Sequence, residues 1–248
     1  KALGSDIQIV QGQIQELEKK RLDTVAQLNA LHGAKQQCES MLKELHDDDQ
    51  TTAGVVAGGY EPSPARISSV SKFDGTNWTS GTALPTATTF QGGAGIQTAG
   101  LQFGGVTPPG AAVNTTYEFD GSSWSSGGTL GTARRGIRGS GTQTAALAAG
   151  GGTPPGSTNT GGSIPPGTYY ANVEEYNGSS WSEVNDLPTA SSWGAISGIQ
   201  TNSLYFGGNA PPGRQATAYG YDGTNWSTRP SMSVAKNSHS FTTAESDD

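Results

Sequence analysis

Few side chains in this sequence are of the types that perform catalysis. The three histidines are His32, His46 and His239, and Cys38 is the single cysteine. His32, His46 and Cys38 fall within the first 50 residues, which leaves His239 alone in the remainder. A metal centre needs several such ligands on one ion, and a cysteine nucleophile needs a base beside it. The sequence therefore predicts no metal site, and no cysteine nucleophile in residues 51–248.

Two neighbouring carboxylates, Glu174 and Glu175, would suit acid–base chemistry only if they could converge. Successive side chains of a β-strand point to opposite faces of its sheet. Glycoside hydrolysis needs two carboxyl groups about 5–10 Å apart around one bond, which neighbours in a strand do not provide. We therefore expect a protein without enzymatic activity and without a cofactor.

A second group of side chains is suited to binding. Three of these residues lie near Pro-Pro pairs and two lie in an Ala-Arg link between repeats. Pro-Pro pairs stiffen a loop and reduce the entropy lost on binding. The candidate residues of a ligand-binding rim are Arg134, Arg135, Tyr169, Tyr170 and Arg214. They would suit contacts with a glycan or a protein. The alternative is that the proline pairs only restrain long loops.

The overall charge excludes some classes of partner. The net charge is −7, from 21 acidic and 14 basic residues, and no basic stripe runs along the chain. Nucleic acid is therefore not an expected partner, because phosphates are neutralised by clustered Lys and Arg. No apolar run approaches the about 18 residues that a membrane-spanning helix requires, so we expect no membrane insertion.

The chain divides into two segments of different composition. Residues 1–50 hold 15 charged residues and three glycines, whereas residues 51–248 hold 20 charged residues and 34 glycines. All five tryptophans and all eight tyrosines fall in the second segment. Their regular spacing favours short strands over disorder. The predicted domains are residues 1–50 and residues 51–248.

The N-terminal segment has the pattern of a coiled coil. Ser5-Asp6-Ile7-Gln8 fits a capping box at the start of a helix. Apolar residues then recur at the a and d positions of a heptad, which predicts a left-handed coiled coil. The predicted oligomerisation residues are Ile7, Val10, Ile14, Leu17, Leu28, Leu31, Leu42 and Leu45. We expect a self-associating stalk, a dimer or a trimer. The alternatives are a hairpin broken at Gly33 and a helix packed on the second domain.

The second segment repeats one motif four times. An aromatic residue, a turn and a tryptophan recur at Phe73 to Trp78, Phe119 to Trp124, Tyr176 to Trp181 and Tyr221 to Trp226. The tryptophans are 46, 57 and 45 residues apart, a period typical of folds in which each repeat is one small sheet. The Asp-Gly and Asn-Gly dipeptides predict hairpin turns. The four tryptophans are expected to be buried between sheets.

Each repeat supplies four predicted strands. The first follows a Leu-Pro-Thr-Ala link, the second ends in Gly-Gly, the third ends at the aromatic residue and the fourth begins near the tryptophan. The chain starts in a second strand, residues 51–59, and ends in a first strand, residues 238–245. The two ends thus complete one sheet and close a ring, which removes the free edges of an open array. Two half-rings from different chains are the alternative.

These repeats resemble kelch repeats. An apolar strand ending in Gly104-Gly105 is followed by Phe119-Asp120, by Trp124 and by a link from Leu130 to Arg134. The turn before the tryptophan is shorter than in kelch repeats, and three of the four links lack the arginine. The resemblance covers residues 51–248 and implies a mostly β protein. Its fold would be a four-bladed kelch-like β-propeller with four strands per blade, closed by the terminal strands and preceded by the α-helical coiled coil.

Strand direction assigns the predicted rim to one face of such a ring. Strands alternate in direction, so the loops between second and third strands share a face with the links between fourth and first strands. The stalk enters at the start of a second strand, on the other face. We therefore expect the five rim residues to face away from the stalk.

The amino-acid sequences of the repeats resemble those of one group of proteins. Short segments such as Gly-Thr-Gln-Thr-Ala and Leu-Pro-Thr-Ala are similar to segments of the kelch-like arrays in structural proteins of tailed bacteriophages of marine cyanobacteria. The resemblance implies a non-enzymatic virion protein of fibre or spike type, whose heads attach to a host-surface glycan or protein and whose other partners are virion proteins. The alternatives are a capsid or tail decoration protein, and a cellular kelch adaptor or secreted lectin.

Overall fold

The computed structural model describes residues 15–21, 53–60, 65–153 and 168–237, with the single positions 12, 24, 28 and 35. The chain separates into two compact units, Lys1–Thr52 and Ala53–Asp248. The described part is mostly β, and its 21 strands, numbered along the chain, form small antiparallel sheets in the second unit.

The described part of the first unit is helical at residues 15–21 and at positions 12, 24, 28 and 35. Leu17 and Leu28, two of the predicted coiled-coil residues, are 65% and 66% exposed. The other predicted oligomerisation residues lie outside the described residues: Ile7, Val10, Ile14, Leu31, Leu42 and Leu45.

Sheet 1 has three strands in the described part of the chain, β1 (Ala53–Tyr60), β2 (Arg66–Asp74) and β3 (Trp78–Gly81). β2 lies in the middle, and β1 pairs with it through a bulge after Ala57. β1 is the second strand of its repeat, and one of its edges has no partner strand among the described residues.

Sheets 2, 3 and 4 each have four antiparallel strands, in the order predicted for the repeat. Sheet 2 consists of β4 (Gly92–Ile96), β5 (Ala99–Phe103), β8 (Thr116–Phe119) and β9 (Trp124–Ser126). Sheet 3 consists of β10 (Arg138–Gly141), β11 (Ala146–Ala149), β14 (Val173–Tyr176) and β15 (Trp181–Glu183). Sheet 4 consists of β16 (Ala195–Ile199), β17 (Asn202–Phe206), β20 (Ala218–Tyr221) and β21 (Trp226–Arg229).

A short hairpin follows the second strand of sheets 2, 3 and 4. The hairpins are β6 (Val106–Thr107) with β7 (Ala111–Ala112), β12 (Gly152–Thr153) with β13 (Thr168–Tyr169), and β18 (Asn209–Ala210) with β19 (Gly213–Arg214). The link that leads into the first strand of each sheet pairs with the hairpin through Thr89–Val106, Arg135–Gly152 and Ser192–Asn209. Links and hairpins therefore lie at one common end of the sheets, here named the hairpin end.

The turns between third and fourth strands share one geometry at the other end of the sheets. Asp120 Oδ1 accepts backbone hydrogen bonds from Ser122 (2.8 Å) and Ser123 (2.7 Å). Gly121 between them has a φ of +91°, which favours glycine. These bonds lower the pKa of Asp120 below its ordinary value. The same pair of bonds recurs at Asp74, Asn177 and Asp222.

The hydrophobic core lies between successive sheets. Tyr117 packs in the cluster between sheets 1 and 2, Phe103 between sheets 2 and 3, and Tyr205 between sheets 3 and 4. The first strands approach closely because they are rich in glycine. A Cβ at Gly139 would overlap both the backbone oxygen of Gly93 and the ring of Phe103. Small residues in these strands thus allow neighbouring sheets to meet.

A glutamine in the turn between first and second strands joins each sheet to the one before it. The amide nitrogen of Gln143 in sheet 3 donates to Gly100 O (2.9 Å) and Phe119 O (2.8 Å) in sheet 2. Gln97 and Gln200 bond to the preceding sheets in the same way, to Gly54 O and Phe73 O and to Ala146 O and Tyr176 O. One side chain thus bridges the second and third strands of its neighbour.

The repeated tryptophans are partly buried rather than fully buried, and one is exposed. The indole nitrogens of Trp124, Trp181 and Trp226 donate to Thr82 O, Thr116 Oγ1 and Asn185 O of the preceding repeat, at 2.9–3.0 Å. Trp78 is 59% exposed, so the prediction that it is buried is wrong. Its repeat is the first, and no described residue of another sheet covers it as the preceding repeat covers the other three.

The predicted closing strand, residues 238–245, lies outside the described residues. The chain just before it follows the pattern of the other repeats, because Lys236 O accepts a hydrogen bond from Gly208 N–H at 2.8 Å. The carbonyls of Thr88, Arg134 and Ser191 accept the corresponding bonds from Gly59, Gly105 and Gly151. Lys236 therefore has the position that precedes a first strand in the other sheets.

We predict that Gln143→Ala destabilises the second unit by about 1–3 kcal/mol, because two carbonyl oxygens of sheet 2 lose their inter-sheet donor. Gln215→Ala is the control, since Gln215 Nε2 also bonds two carbonyls, Ala210 O and Gly213 O, but within one hairpin. Chemical denaturation monitored by tryptophan fluorescence measures both variants. Equal losses of unfolding free energy would contradict the inter-sheet role of Gln143.

Candidate binding site

Arg134 does not belong to a binding rim, and this prediction is wrong. Its side chain is fully buried and forms an ion pair with the buried carboxylate of Glu174. Arg134 Nε donates to Gly150 O (2.9 Å), and Glu174 accepts a second bond from Gly131 N–H (2.7 Å). The link turns this side chain inward against sheet 3, where it holds sheets 2 and 3 together. Removing one partner of such a pair leaves a buried charge without compensation.

Glu174 and Glu175 have separate structural partners. Glu174 faces Arg134, whereas Glu175 Oε1 accepts a hydrogen bond from the Tyr221 hydroxyl of sheet 4 at 2.9 Å. Tyr176 donates in the same way to Glu118 of sheet 2. Burial and the Glu118 carboxylate raise the pKa of Tyr176 to about 12. The carboxylates therefore connect neighbouring sheets through tyrosine hydroxyls.

The other predicted rim residues lie at the hairpin end. Arg135 pairs with Gly152, and Gly152 pairs with Tyr169 on its other side, so these residues lie side by side. The Tyr170 hydroxyl lies 3.5 Å from Thr153 Oγ1. Arg214 is exposed in the hairpin of sheet 4, where it pairs with Asn209. The structure thus places Arg135 and Tyr169 on either side of Gly152 and places Arg214 on a different hairpin.

An unusual backbone conformation recurs in the links that precede sheets 2, 3 and 4. It lies two residues after the carbonyl of Thr88, Arg134 or Ser191, which accepts the hydrogen bond from a Gly-Gly pair. Phe90 and Trp193 both have a φ of +62°, and Gly136, which holds the same position in sheet 3, has a φ of +64°. Gly136 N–H donates to Phe90 O (2.8 Å), and Trp193 N–H donates to Gly136 O (2.9 Å). Bulky residues rarely adopt this left-handed conformation, and such strain is concentrated at functional sites.

Three aromatic rings meet at this position. The Phe90 ring contacts Tyr60 at a centroid distance of 5.4 Å and Trp193 at 4.9 Å, both edge to face. Gly136 makes room for the contact, because a Cβ there would lie 2.9 Å from the Trp193 indole. The rings come from the end of β1 and from the segments that lead into β4 and β16.

Each ring has an arginine over it. The Cζ atoms of Arg66, Arg135 and Arg138 lie 5.9, 5.8 and 5.7 Å from the ring centroids of Tyr60, Phe90 and Trp193 respectively. Guanidinium groups at this distance are attracted by the ring faces. We name this site the aromatic–arginine cluster; its members are Tyr60, Arg66, Phe90, Arg135, Arg138 and Trp193.

The cluster is positively charged within an acidic protein. Among the described residues, no carboxylate forms an ion pair with Arg66, Arg135 or Arg138. Burial lowers the pKa of Arg135, while Tyr60 acts to raise it and the charge of Arg66 has a smaller lowering effect. Burial also lowers the pKa of Arg138, whose Nε donates to Gly194 O at 2.7 Å. Arg66 Nε is buried without a hydrogen-bond partner in the described part of the chain.

The side chains of the cluster are of types that commonly contact ligands. Planar guanidinium groups present paired donors to an anion, and aromatic rings present flat apolar surface. In the described ranges, no three His, Cys, Asp or Glu side chains are grouped so as to hold a metal ion. No helix among the described residues is long and apolar enough to cross a membrane.

Comparison with known proteins supports the fold alone. No family model matches the chain, and no curated protein matches it. The solved structure of YjhT superposes with a TM-score of 0.53 at 13% sequence identity, over 66% of this chain and 53% of YjhT. The match thus spans about half the length of YjhT. It agrees with a β-propeller-like arrangement of the small antiparallel sheets.

Sequence reasoning finds one member of the cluster, Arg135, and misses five. Phe90 and Trp193 occupy the same position in their links as Gly136 does in the link before sheet 3. A bulky aromatic residue at a position where another repeat has glycine was the signal in the sequence that could have identified them. Trp193 is also the one tryptophan outside the repeated motif. Tyr60, Arg66 and Arg138 carry no pattern that separates them from other residues at strand ends.

Proposed function

We propose that this chain is a non-enzymatic virion structural protein, an oligomeric fibre or spike that attaches to the host surface through the hairpin end of its β-propeller. The observation that carries the attachment role is the aromatic–arginine cluster, a group of strained, partly exposed aromatic and cationic side chains at the hairpin end. The virion assignment rests on the similarity of the repeats to kelch-like arrays of phage structural proteins.

The propeller of this proposal has four blades and closes within one chain. Sheets 1 to 4 are the four blades, and β1 has an edge without a described partner, where sheets 2, 3 and 4 have a first strand. Lys236 holds the position that precedes a first strand in the other repeats. Residues 238–245 would then pair with β1, complete blade 1 and remove the open edge.

The oligomer of this proposal forms through the N-terminal helix. The exposed Leu17 and Leu28 are the described members of the heptad pattern, and a helix with a narrow apolar stripe buries that stripe by pairing with copies of itself. A dimer or trimer would present several propellers to one surface. Multivalency raises the effective affinity of weak individual sites without any new contact.

The attachment role predicts that the fluorescently labelled full-length protein stains intact cells of susceptible marine cyanobacteria. Trp193→Gly should weaken cell binding by roughly tenfold or more, because it removes a central aromatic ring of the site. Glycine suits the φ of +62° at this position, so the variant should still fold.

The matched control is Trp78→Ala, which removes an exposed tryptophan from the opposite end of the sheets. It should leave cell binding unchanged. Equal effects of the two substitutions would place the contact surface elsewhere. Binding of the oligomer to purified virion proteins, with no staining of any cell strain, would favour the decoration protein.

The stalk assignment predicts that the full-length protein is a dimer or trimer in solution and that Leu17→Glu shifts it toward monomer, because a charge is forced into the apolar stripe. Gln15→Glu adds the same charge two residues earlier, at a b position outside the stripe. Sedimentation velocity at low micromolar concentration measures all three proteins. An unchanged sedimentation coefficient for Leu17→Glu would rule out this stripe as the contact.

Ring closure predicts that deleting residues 238–248 lowers the thermal unfolding midpoint of the second unit by several degrees, because β1 loses its inner partner. Deleting only residues 246–248 should have no such effect, since the proposed strand ends at 245. Differential scanning calorimetry compares the two truncations. A midpoint unchanged by the longer deletion would mean that the tail does not complete blade 1.

A further inference from the structure

We propose that the aromatic–arginine cluster binds an acidic saccharide, one whose pyranose rings carry carboxylate or sulfate groups. This inference rests on the proposed attachment role and adds to it the chemical class of the ligand. The three ring–arginine pairs, Tyr60 with Arg66, Phe90 with Arg135 and Trp193 with Arg138, supply the contacts.

The charge of the cluster calls for an anion. Arg66, Arg135 and Arg138 each lie over a ring of the same three-ring contact, so three positive charges gather at this site. No described carboxylate forms an ion pair with any of them, and Arg66 Nε is buried without a described partner. An anion beside these guanidinium groups would supply the counter-charge that no described carboxylate provides. Arginine forms paired hydrogen bonds to carboxylates and similar oxyanions with fixed geometry.

The exposed parts of the aromatic rings favour an anion that also carries apolar surface. Tyr60 is 39% exposed, and Phe90 and Trp193 are partly exposed beside it. A pyranose ring has one face of C–H bonds that stacks on aromatic side chains, and its carboxylate or sulfate projects from the ring edge. A ligand that combines the two matches ring–arginine pairs better than an inorganic anion, which would use only the guanidinium groups.

The backbone at the cluster argues against an acidic peptide. Peptides commonly bind by adding a strand to an open sheet edge. Here the N–H groups of Arg135 and Ser192 donate to Gly152 O and Asn209 O, at 2.9 and 3.0 Å. Those of Gly136 and Trp193 donate to Phe90 O and Gly136 O. These donors are already used, so the ligand must be recognised by side chains.

The side chain of Arg138 and the backbone of Arg135 are held in place before a ligand arrives. Arg138 is held by Gly194 O, and the backbone of Arg135 is paired with the hairpin of sheet 3. Side chains that are already ordered lose less entropy on binding. In sheet 1, the acidic residue Asp74 lies at the far end of the strand that begins with Arg66, because β2 runs from Arg66 to Asp74. The hairpin end therefore attracts an acidic polymer although the whole chain has a net charge of −7.

The test measures binding of the full-length protein to four probes by isothermal titration calorimetry. Oligogalacturonate carries carboxylates, sulfated dextran oligosaccharide carries sulfates, unmodified dextran oligosaccharide is neutral, and polyglutamate is an acidic polymer without sugar rings. We expect one of the acidic saccharides to bind at least about tenfold more tightly than the neutral saccharide and polyglutamate, and the binding to weaken with salt. The tighter of the two acidic saccharides identifies the acidic group.

Arg135→Gln should reduce the affinity for that saccharide by about tenfold to a hundredfold, because a charge-assisted hydrogen bond is lost. Arg214→Gln removes the same charge from an exposed arginine of a neighbouring hairpin and should change the affinity by less than about twofold. Circular dichroism and thermal unfolding confirm that both variants are folded. Trp193→Gly should lower affinity for the acidic saccharide without altering any weak binding of polyglutamate.

Three results would overturn the inference: no binding of either acidic saccharide, equal binding of polyglutamate, or equal effects of Arg135→Gln and Arg214→Gln. Equal binding of polyglutamate would favour an acidic protein as the ligand. Failure of the acidic-saccharide inference can be distinguished from failure of the proposed attachment role. Cell staining that Arg135→Gln leaves intact would keep attachment and remove the acidic saccharide, whereas saccharide binding without cell staining would do the reverse.

Discussion

The contact between one small sheet and the next is the constraint on which this structure depends. A sheet of three or four short strands cannot bury enough apolar surface alone, so each core lies between two successive sheets. The approach is close because glycines such as Gly139 leave no side chain between the first strands. Polar groups then set the register: glutamine amides bridge two strands of the preceding sheet, tyrosine hydroxyls reach its glutamates, and indole nitrogens reach its hydroxyl or carbonyl oxygens.

The same contact creates the candidate site. The second glycine of each Gly-Gly pair donates to the carbonyl of the following link, which brings every link to the hairpin end of the preceding sheet. The residue two positions later must then turn with a positive φ before the next first strand begins. Glycine accepts that turn without strain, yet two of the three described positions hold Phe90 and Trp193. Gly136 forms the same kind of backbone bond without a side chain, so these bonds do not require bulky residues, and we propose that the rings bind a ligand.

The distribution of charge separates the two ends of the sheets. Aspartates occupy the turns between third and fourth strands, where backbone hydrogen bonds stabilise the ionised form. Arginines gather at the hairpin end, one of them, Arg134, neutralised by the buried Glu174 and three stacked on aromatic rings. A chain with a net negative charge can in this way offer one positive surface to an acidic partner.

The sequence by itself determined the repeat, the strand order and the turn chemistry, because these depend on local signals. The Asp-Gly turns and the Gly-Gly pairs are visible within one repeat, and the tryptophan spacing is visible along the chain.

Only the tertiary structure decided which side chains meet between repeats. Arg134 and Arg135 are neighbours in sequence, yet the first is buried against Glu174 and the second lies over Phe90. Phe90 and Trp193 are two repeats apart in sequence and touch across Gly136. Trp78 shares its motif with three partly buried tryptophans but is exposed, and no described indole bond joins it to another repeat as in the other three. Contacts between distant repeats depend on the distance and angle at which the sheets pack. The sequence pattern of a single repeat does not specify that packing.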